Sequence, residues 1–242
     1  MYTQFYQLRK PPFHVTPDPS FFFLSDSHKE ALASIIYGIE QRKGFIAIFG
    51  EVGLGKTTVL RSYLDRIDRG QIKPVYVFNA NVTFAGLLKT ICRELGVRVR
   101  SAVVSEMVSA LHEALIKEYR QGRNVVLIID EAQNMPTGTL ENLRMLSNLE
   151  TSTDKLIQIV LVGQPEFQNR LEQHELRQLK QRLAIRHTIT PLSSQESMDY
   201  IVHRLSKVTV GSHRVFTRKA LLTVVKAAQG IPGTINILWC IG

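Results

Sequence analysis

The sequence predicts an α/β fold in which a five-stranded parallel sheet lies between helices, followed by a small all-helical lid. Three observations support this prediction. Short apolar runs alternate with amphipathic runs between residues 28 and 189, and this alternation is typical of parallel sheets covered by helices on both faces. A glycine-rich loop follows the first apolar run. Beyond residue 194 the apolar residues recur only at helical spacing.

The spacing of apolar residues predicts each element in turn. Helices are expected over 28–42, 57–68, near 84–95, and over 105–121, 140–149 and 166–183. Strands are expected over 45–49, 75–78, 125–129, 156–162 and 184–189. The lid is expected to hold helices over 195–207 and 217–228 and a third that starts near Gly233.

Three segments are expected along the chain. Residues 1–27 read as a proline-punctuated arm with aromatic anchors, residues 28–191 as the α/β domain, and residues 192–242 as a partial helical lid. The hinge is expected at Pro191-Leu192-Ser193. Ser194 and the acidic Glu196 favour a helix N-terminus directly after it.

Composition restricts the class of protein. The chain has 242 residues, 44% of them apolar, which is enough for a substantial core. Its net charge of +9 favours an anionic partner, either nucleic acid or an anionic membrane surface. Cys92 and Cys240 form neither a disulfide framework nor a metal cluster, which fits a reducing cytoplasm. No apolar run reaches the ~18 residues of a membrane span.

The loop after the first predicted strand fits the phosphate-binding pattern G-x-x-x-x-G-K-[ST]. Its residues are Gly50, Glu51, Val52, Gly53, Leu54, Gly55, Lys56, Thr57 and Thr58. Glycines allow backbone N–H groups to surround phosphate oxygens, and the following helix adds partial positive charge. Lys56 is expected to reach the β- and γ-phosphates of ATP, and the Thr57 hydroxyl to bind Mg²⁺.

A second motif strengthens the first. The apolar run Val125 to Ile129 ends in Asp130 and Glu131, at the edge where open α/β sheets bind ligands. We expect Asp130 to hold Mg²⁺ together with Thr57. Glu131 is expected to polarise the water that attacks the γ-phosphate.

Four segments carry a resemblance to a known family. They are Phe5-Tyr6-Gln7-Leu8 with Pro12-Phe13 and Thr16-Pro17-Asp18-Pro19, then Ser27-His28-Lys29-Glu30-Ala31-Leu32, the phosphate loop, and Leu161-Val162-Gly163-Gln164-Pro165-Glu166. On these segments the chain resembles the AAA+ ATPases and, within them, the general secretion pathway protein A (ExeA-like) family. The first segment is the most specific, because the nucleotide motifs alone indicate only a P-loop ATPase.

The resemblance implies further roles in catalysis. Gln164 would lie near the γ-phosphate and the attacking water. Asn79 matches a position that can hydrogen-bond the catalytic glutamate, and a turn asparagine is the alternative for it. Arg182 would act as an arginine finger in the site of a neighbouring subunit, with Arg177 and Arg186 as rivals. A solvated basic helix is the alternative for these arginines.

The resemblance also implies how the lid meets the nucleotide. Adenine would lie between the arm and the lid, near Pro17, the His28 region, Ile231 and Pro232. The family usually has Gly-Ile-Pro-Arg at the lid, with the arginine at the γ-phosphate, whereas this chain has Gly233 at that position. The family also continues with at least another lid helix, so the lid is expected to be incomplete here.

Two functions stay open at this point. The resemblance implies an ATP-dependent homo-oligomer at the cytoplasmic face of the inner membrane, which works with a membrane partner to assemble a secretion or pilus machine. The net charge and the clustered Arg170, Arg177, Lys180, Arg182 and Arg186 instead favour a regulator of transposition that oligomerises on duplex DNA. A nucleotide-dependent switch with little catalysis is a third alternative.

Overall fold

The computed structural model describes residues 6, 8–13, 19–99, 101–209 and 216–241. The chain divides into two compact units by contact. The first comprises Met1–Lys29, Glu51–Ser62 and Ile189–Gly242, and the second comprises Glu30–Gly50 and Tyr63–Thr188. The boundaries expected at residues 27 and 191 stay a prediction.

The second unit contains the predicted sheet. Its strands are β1 (Phe45–Phe49), β2 (Ile72–Val77), β3 (Asn124–Ile129), β4 (Ile157–Gly163) and β5 (Leu183–Thr188). They are parallel, in the order β2-β3-β4-β1-β5. The strands β1, β3 and β4 are buried along their whole length, as expected for central strands covered on both faces. The predicted α/β fold is thereby confirmed.

Ten α-helices accompany these strands in the described part of the chain. They are α1 (Asp26–Glu40), α2 (Lys56–Leu64), α3 (Phe84–Glu94), α4 (Val104–Arg120), α5 (Thr137–Leu146), α6 (Pro165–Leu171), α7 (Arg177–Arg182), α8 (Ser194–Ser206), α9 (Arg218–Ala228) and α10 (Pro232–Ile241). Short 3₁₀ turns lie at Pro19–Phe21, Ala132–Asn134 and His174–Leu176. No helix among the described residues is long and apolar enough to cross a membrane.

Apolar side chains at helical spacing build the main core of the second unit. Met107, Leu111 and Leu115 of α4 are fully buried, as their spacing predicts. Phe45, Ala47 and Phe49 of β1 belong to the same core. Their odd positions share one face of the strand, since successive side chains alternate between faces.

The basic stretch expected to be one helix over 166–183 is interrupted. The helix α6 ends at Leu171, and Gln173 is extended, with φ −67° and ψ 147°. Leu171 and Leu176 are both buried. In one continuous helix, residues five apart would point about 140° away from each other. The interruption lets both leucines face the core.

The lid helix α8 begins one residue earlier than expected. Ser193, rather than Ser194, is its N-cap, and its hydroxyl accepts a hydrogen bond from the Glu196 N–H at 3.1 Å. The Glu196 carboxylate accepts in return from the Ser193 N–H at 2.9 Å. This reciprocal capping box satisfies two backbone donors that the helix cannot pair internally.

A buried arginine fastens the arm to α8 within the first unit. Arg204 is 6% exposed, and its Nε donates to the Pro12 carbonyl at 2.6 Å. Its Nη1 donates to the Tyr200 hydroxyl at 2.9 Å. The guanidinium also lies over the Phe13 and Phe21 rings, 5.7 and 4.7 Å from their centroids. Aromatic faces attract such a cation, so Arg204 holds Phe13 and Phe21 of the arm against α8.

A buried amide network joins strands of the second unit. The Gln158 side chain of β4 is fully buried, and its Oε1 accepts from the Gly44 N–H at 2.8 Å. Its Nε2 donates to the Lys155 carbonyl at 3.0 Å and to Asn124 Oδ1 at 3.3 Å. Asn124 in turn donates to the Ile39 carbonyl at 2.8 Å. The Gln158 side chain therefore pairs with the backbone N–H of Gly44 and with the backbone carbonyl of Lys155.

Replacing Gln158 with leucine is expected to lower the free energy of unfolding. The change keeps the volume but leaves the Gly44 N–H unpaired, and each unpaired buried group costs about 1–3 kcal/mol. Urea denaturation of the two proteins measures the loss. Gln178→Leu is the control, because Gln178 is exposed and its replacement should shift stability by no more than ~0.5 kcal/mol. Equal stability of the two variants would contradict the prediction.

Candidate functional site

The phosphate loop lies between β1 and α2 and belongs, from Glu51 onward, to the first unit. Gly53 and Gly55 have φ values of +81° and +88°. Residues with a Cβ rarely adopt this conformation, so the backbone of the loop requires glycine at these two positions. The helix α2 begins at Lys56, with its N-terminus at the loop as the motif predicts.

Three carbonyls of the loop accept hydrogen bonds from protein donors. Lys56 Nζ donates to the Glu51 carbonyl at 3.0 Å, and the Gly233 N–H donates to the Gly53 carbonyl at 3.0 Å. His28 Nε2 donates to the Leu54 carbonyl at 2.7 Å. In a trans peptide the N–H points opposite to the C=O. The N–H groups of these peptides therefore face away from the donors. The Leu54 N–H donates to the Glu51 carbonyl at 3.4 Å, whereas the Val52 and Gly55 N–H groups have the orientation that an anion-binding loop needs.

His28 is the least expected of these donors. It is 4% exposed, and its Nδ1 lies 2.7 Å from the Ser25 hydroxyl oxygen. Burial lowers the pKa of His28 below its ordinary value, which favours the neutral ring. Because the Leu54 carbonyl can only accept, Nε2 carries the proton and Nδ1 accepts from Ser25. The sequence pointed to the His28 region only as a neighbour of adenine.

The lid residues that the resemblance implied for adenine have definite places in the first unit. Pro232 is the first residue of α10. The Ile231 Cγ2 atom lies 3.0 Å from the point that a Cβ on Gly53 would occupy. Ile231 and Gly53 are therefore in contact, whereas Pro17 and Phe5 lie outside the described residues.

The acidic pair lies at the carboxyl end of β3, in the second unit. The Tyr76 hydroxyl donates to Asp130 Oδ2 at 3.2 Å, and the Glu131 N–H donates to Asp130 Oδ1 at 2.9 Å. Glu131 is in the left-handed region with φ +54°. Non-glycine residues at such angles cluster at functional sites. The sequence did not indicate this backbone turn.

Two glutamines hold the Glu131 carboxylate. Gln164, directly after β4, donates from Nε2 to Glu131 Oε2 at 2.9 Å, and Gln133 Nε2 donates to the same oxygen. Gln133 Oε1 also accepts from the Gln164 N–H at 3.2 Å. Gln164 and Glu131 thus lie together in the second unit, and the role of Gln164 beside the γ-phosphate stays a prediction. Asn79 Oδ1 accepts from the Asn81 N–H at 3.0 Å, as a turn asparagine does, and its hydrogen bond to the catalytic glutamate stays a prediction.

Gln133 is a member of this cluster that the sequence analysis missed. It lies in the 3₁₀ turn Ala132–Asn134, and Arg170 Nη1 donates to its carbonyl at 2.6 Å. Arg170 Nη2 also donates to the Thr137 hydroxyl at 3.0 Å. Arg170 thus supports the turn that carries Gln133. The only signal in the sequence is the position of Gln133, two residues after Glu131.

The finger candidates lie on α7 and β5. Arg182 is the last residue of α7, Arg177 is the first, and both are exposed. Arg186 on β5 is also exposed, although its Nη2 donates to the Lys180 carbonyl. An exposed guanidinium is open to a neighbouring molecule. The choice of Arg182 among the three stays a prediction.

Thr57 in the first unit and Asp130 in the second each carry an oxygen of the kind that Mg²⁺ binds. Mg²⁺ prefers hard oxygen ligands and usually shares them with substrate phosphates. Thr57 offers a hydroxyl oxygen and Asp130 a carboxylate. Among the residues that the structure describes, no group of three or more His, Cys, Asp or Glu could hold a metal by itself. Water molecules and substrate phosphates are the usual further ligands of Mg²⁺ in proteins.

Comparisons with known proteins agree with the fold described above. A family model described as an AAA domain matches residues 39–171. General secretion pathway protein A of Aeromonas hydrophila is 40% identical over 239 residues. The match covers 98% of this chain but 43% of that relative, so the chain spans less than half of the relative's length.

Solved structures show the same fold at low sequence identity. The Aeropyrum pernix ORC1 protein in complex with DNA has a TM-score of 0.66 at 18% identity, covering 96% of this chain and 63% of that one. The ORC2 protein of the same organism, in ADPNP and ADP complexes, has a TM-score of 0.64 at 16% identity, covering 93% and 65%. The family match, over more than half of the chain, shows that this protein belongs to the AAA domain family and, within it, resembles general secretion pathway protein A.

Proposed function

We propose that this chain binds ATP with Mg²⁺ and hydrolyses it between subunits of a homo-oligomer, to drive assembly of a bacterial secretion or pilus machine. The observation that carries the proposal is the phosphate loop, whose carbonyls are tied to Lys56, Gly233 and His28. This leaves the Val52 and Gly55 N–H groups, on the opposite side of two of these peptides, oriented for phosphate oxygens.

Each polar residue has a chemical task in this proposal. Lys56 places positive charge at the β- and γ-phosphates, and Thr57 and Asp130 provide oxygen ligands for Mg²⁺. When bound, the metal neutralises charge on the phosphates. Glu131 orients a water molecule and accepts its proton. Gln133 and Gln164 keep the Glu131 carboxylate in one orientation by donating to Oε2.

Hydrolysis is proposed to require a second subunit. Arg182 of one subunit would stabilise charge on the transferring phosphoryl group of another, as arginine fingers do. Loss of the γ-phosphate then loosens the contact between subunits and shifts the lid. The exposure of Arg182 at the end of α7 supports this role.

The cellular role is proposed from the relative. General secretion pathway protein A is named for secretion, and this chain matches 43% of its length. We propose that the chain acts at the cytoplasmic face of the inner membrane with a membrane-bound assembly partner. The alternative, an oligomer on duplex DNA, is supported by the net charge of +9 and by the exposed Arg177, Arg182 and Arg186. One protein of the same fold has been solved in complex with DNA.

ATP turnover with and without duplex DNA, at low and moderate salt, tests both functions. We expect Mg²⁺-dependent turnover that DNA does not change. Stimulation by DNA that fades with salt would instead support the DNA-bound oligomer, because binding then falls with a log–log slope of ~−0.9 per phosphate contact. Absence of both turnover and ATP binding would contradict the proposed function altogether.

A further inference from the structure

Two glycines make direct contact within the first unit, one from the phosphate loop and one from the lid. The Gly233 N–H donates to the Gly53 carbonyl at 3.0 Å. Gly233 is the second residue of α10, so its N–H is one of the helix donors that have no partner within the helix. The loop therefore accepts a hydrogen bond from the first turn of a lid helix.

Neither position has space for a side chain. A Cβ on Gly233 would lie 2.9 Å from Gly53 Cα and 3.4 Å from the Gly53 carbonyl oxygen. A Cβ on Gly53 would lie 3.0 Å from Ile231 Cγ2, and the φ of +81° is itself strained for other residues. Glycine is also a poor helix former. Close approach of the two backbones is therefore a physical reason for glycine at position 233.

We infer that the backbone contact between Gly53 and Gly233 couples phosphate binding in the loop to the lid helix α10. This inference rests on the proposed binding of ATP. It gives Gly233, at the position where the resemblance leads us to expect arginine, a positioning role: the main chain of α10 holds the loop, and no side chain at 233 takes part.

Cooperativity between hydrogen bonds gives the coupling its direction. The N–H of the Gly53–Leu54 peptide donates to the Glu51 carbonyl at 3.4 Å, which is a long bond. A phosphate oxygen that replaces this carbonyl is a charged and stronger acceptor. It polarises the peptide further, and the Gly53 carbonyl then becomes a better acceptor. Phosphate binding is therefore expected to strengthen the bond from Gly233. By reciprocity, the bond from Gly233 raises the affinity of the loop for phosphate by the same factor.

The chain carries its own reporter on this helix. Trp239 is the single tryptophan of the sequence and lies on α10. Its ring stacks on Phe13 with centroids 5.3 Å apart, and the Phe216 centroid is 4.1 Å away. Fluorescence of Trp239 therefore responds to a change in how α10 packs.

The first test is hydrogen exchange of the native protein with and without a non-hydrolysable ATP analogue and Mg²⁺. Slower exchange at the Gly233 amide in the presence of the analogue is expected, together with a change in Trp239 emission. If the analogue binds and both observables stay unchanged, the inference is wrong while ATP binding stands. If the analogue does not bind, the proposed function fails and this inference fails with it.

The second test compares Gly233→Ala with Gly138→Ala. Gly138 is also the second residue of a helix, α5, but a Cβ there would have nothing within 4 Å. Gly233→Ala is expected to weaken analogue binding about 5–150-fold, the usual range of coupling between sites, and to remove the Trp239 response. Equal affinities in the two variants would overturn the inference. Circular dichroism verifies that Gly233→Ala is folded. If this variant is unfolded, the hydrogen-exchange experiment on the native protein decides the inference.

Discussion

Glu131→Gln is expected to lose ATP turnover by about 10²–10⁴-fold, the usual contribution of a general base, while it still binds ATP. Glutamine has nearly the same shape, and its amide oxygen can still accept from Gln164. It cannot take the proton of the attacking water. Phosphate release and binding of a fluorescent ATP analogue, measured on the same preparation, separate the two effects.

The control for this variant is Glu175→Gln. Glu175 is an exposed acid in the 3₁₀ turn His174–Leu176, so its replacement removes the same charge away from the cluster. Native turnover is expected there. Full turnover by Glu131→Gln would show that Glu131 is not the base. Loss of ATP binding in this variant would show that the negative charge of Glu131 contributes to ATP binding instead.

Arg182→Ala is expected to lower turnover by about 10³–10⁵-fold, the range known for arginine fingers, without loss of ATP binding or assembly. The reason is that positive charge is needed only when charge develops on the transferring phosphoryl group. Turnover per assembled subunit, with assembly followed by light scattering, measures this effect. Arg177→Ala and Arg186→Ala are the matched controls, since both also remove an exposed arginine.

Mixing the two variants decides whether the site is shared. A subunit with Arg182→Ala keeps Glu131, and a subunit with Glu131→Gln keeps Arg182. If Arg182 acts on a neighbour, mixed oligomers regain turnover, because some sites then hold both residues. No recovery in mixtures that do assemble would place Arg182 outside the neighbour's site. Unchanged turnover in Arg182→Ala alone would exclude it as the finger.

Local sequence signals predicted the sheet well. The strands β1, β3 and β4 are fully buried, so their continuous apolar runs are distinctive, and their positions agreed to within a residue. The strand β2 begins at Ile72, whereas the prediction began at Val75. The start was missed because Lys73 and Pro74 interrupt the apolar pattern of the strand. The break between α6 and α7 was missed, since burial of both Leu171 and Leu176 depends on tertiary packing.

The site was predictable where a motif fixes the spacing. The loop from Gly50 to Thr58, and the acids Asp130 and Glu131, follow from patterns in adjacent residues. His28, Gln133 and Gly233 were not assigned their roles, because each acts through contacts that the fold creates. His28 and Gly233 bond to carbonyls of the loop, and a carbonyl is common to every residue type. The residue types at positions 53 and 54 therefore do not indicate which donor their carbonyls bind.

The donors of the phosphate loop also have a consequence for how the protein is made. The loop and His28 leave the ribosome early, but the Gly53 carbonyl gains its donor only when residue 233 has emerged. During synthesis, domains generally fold as units, and the N-terminal one folds first. The glycine-rich loop of a nascent chain therefore lacks one of its three hydrogen-bond donors until the lid helix α10 has been synthesised.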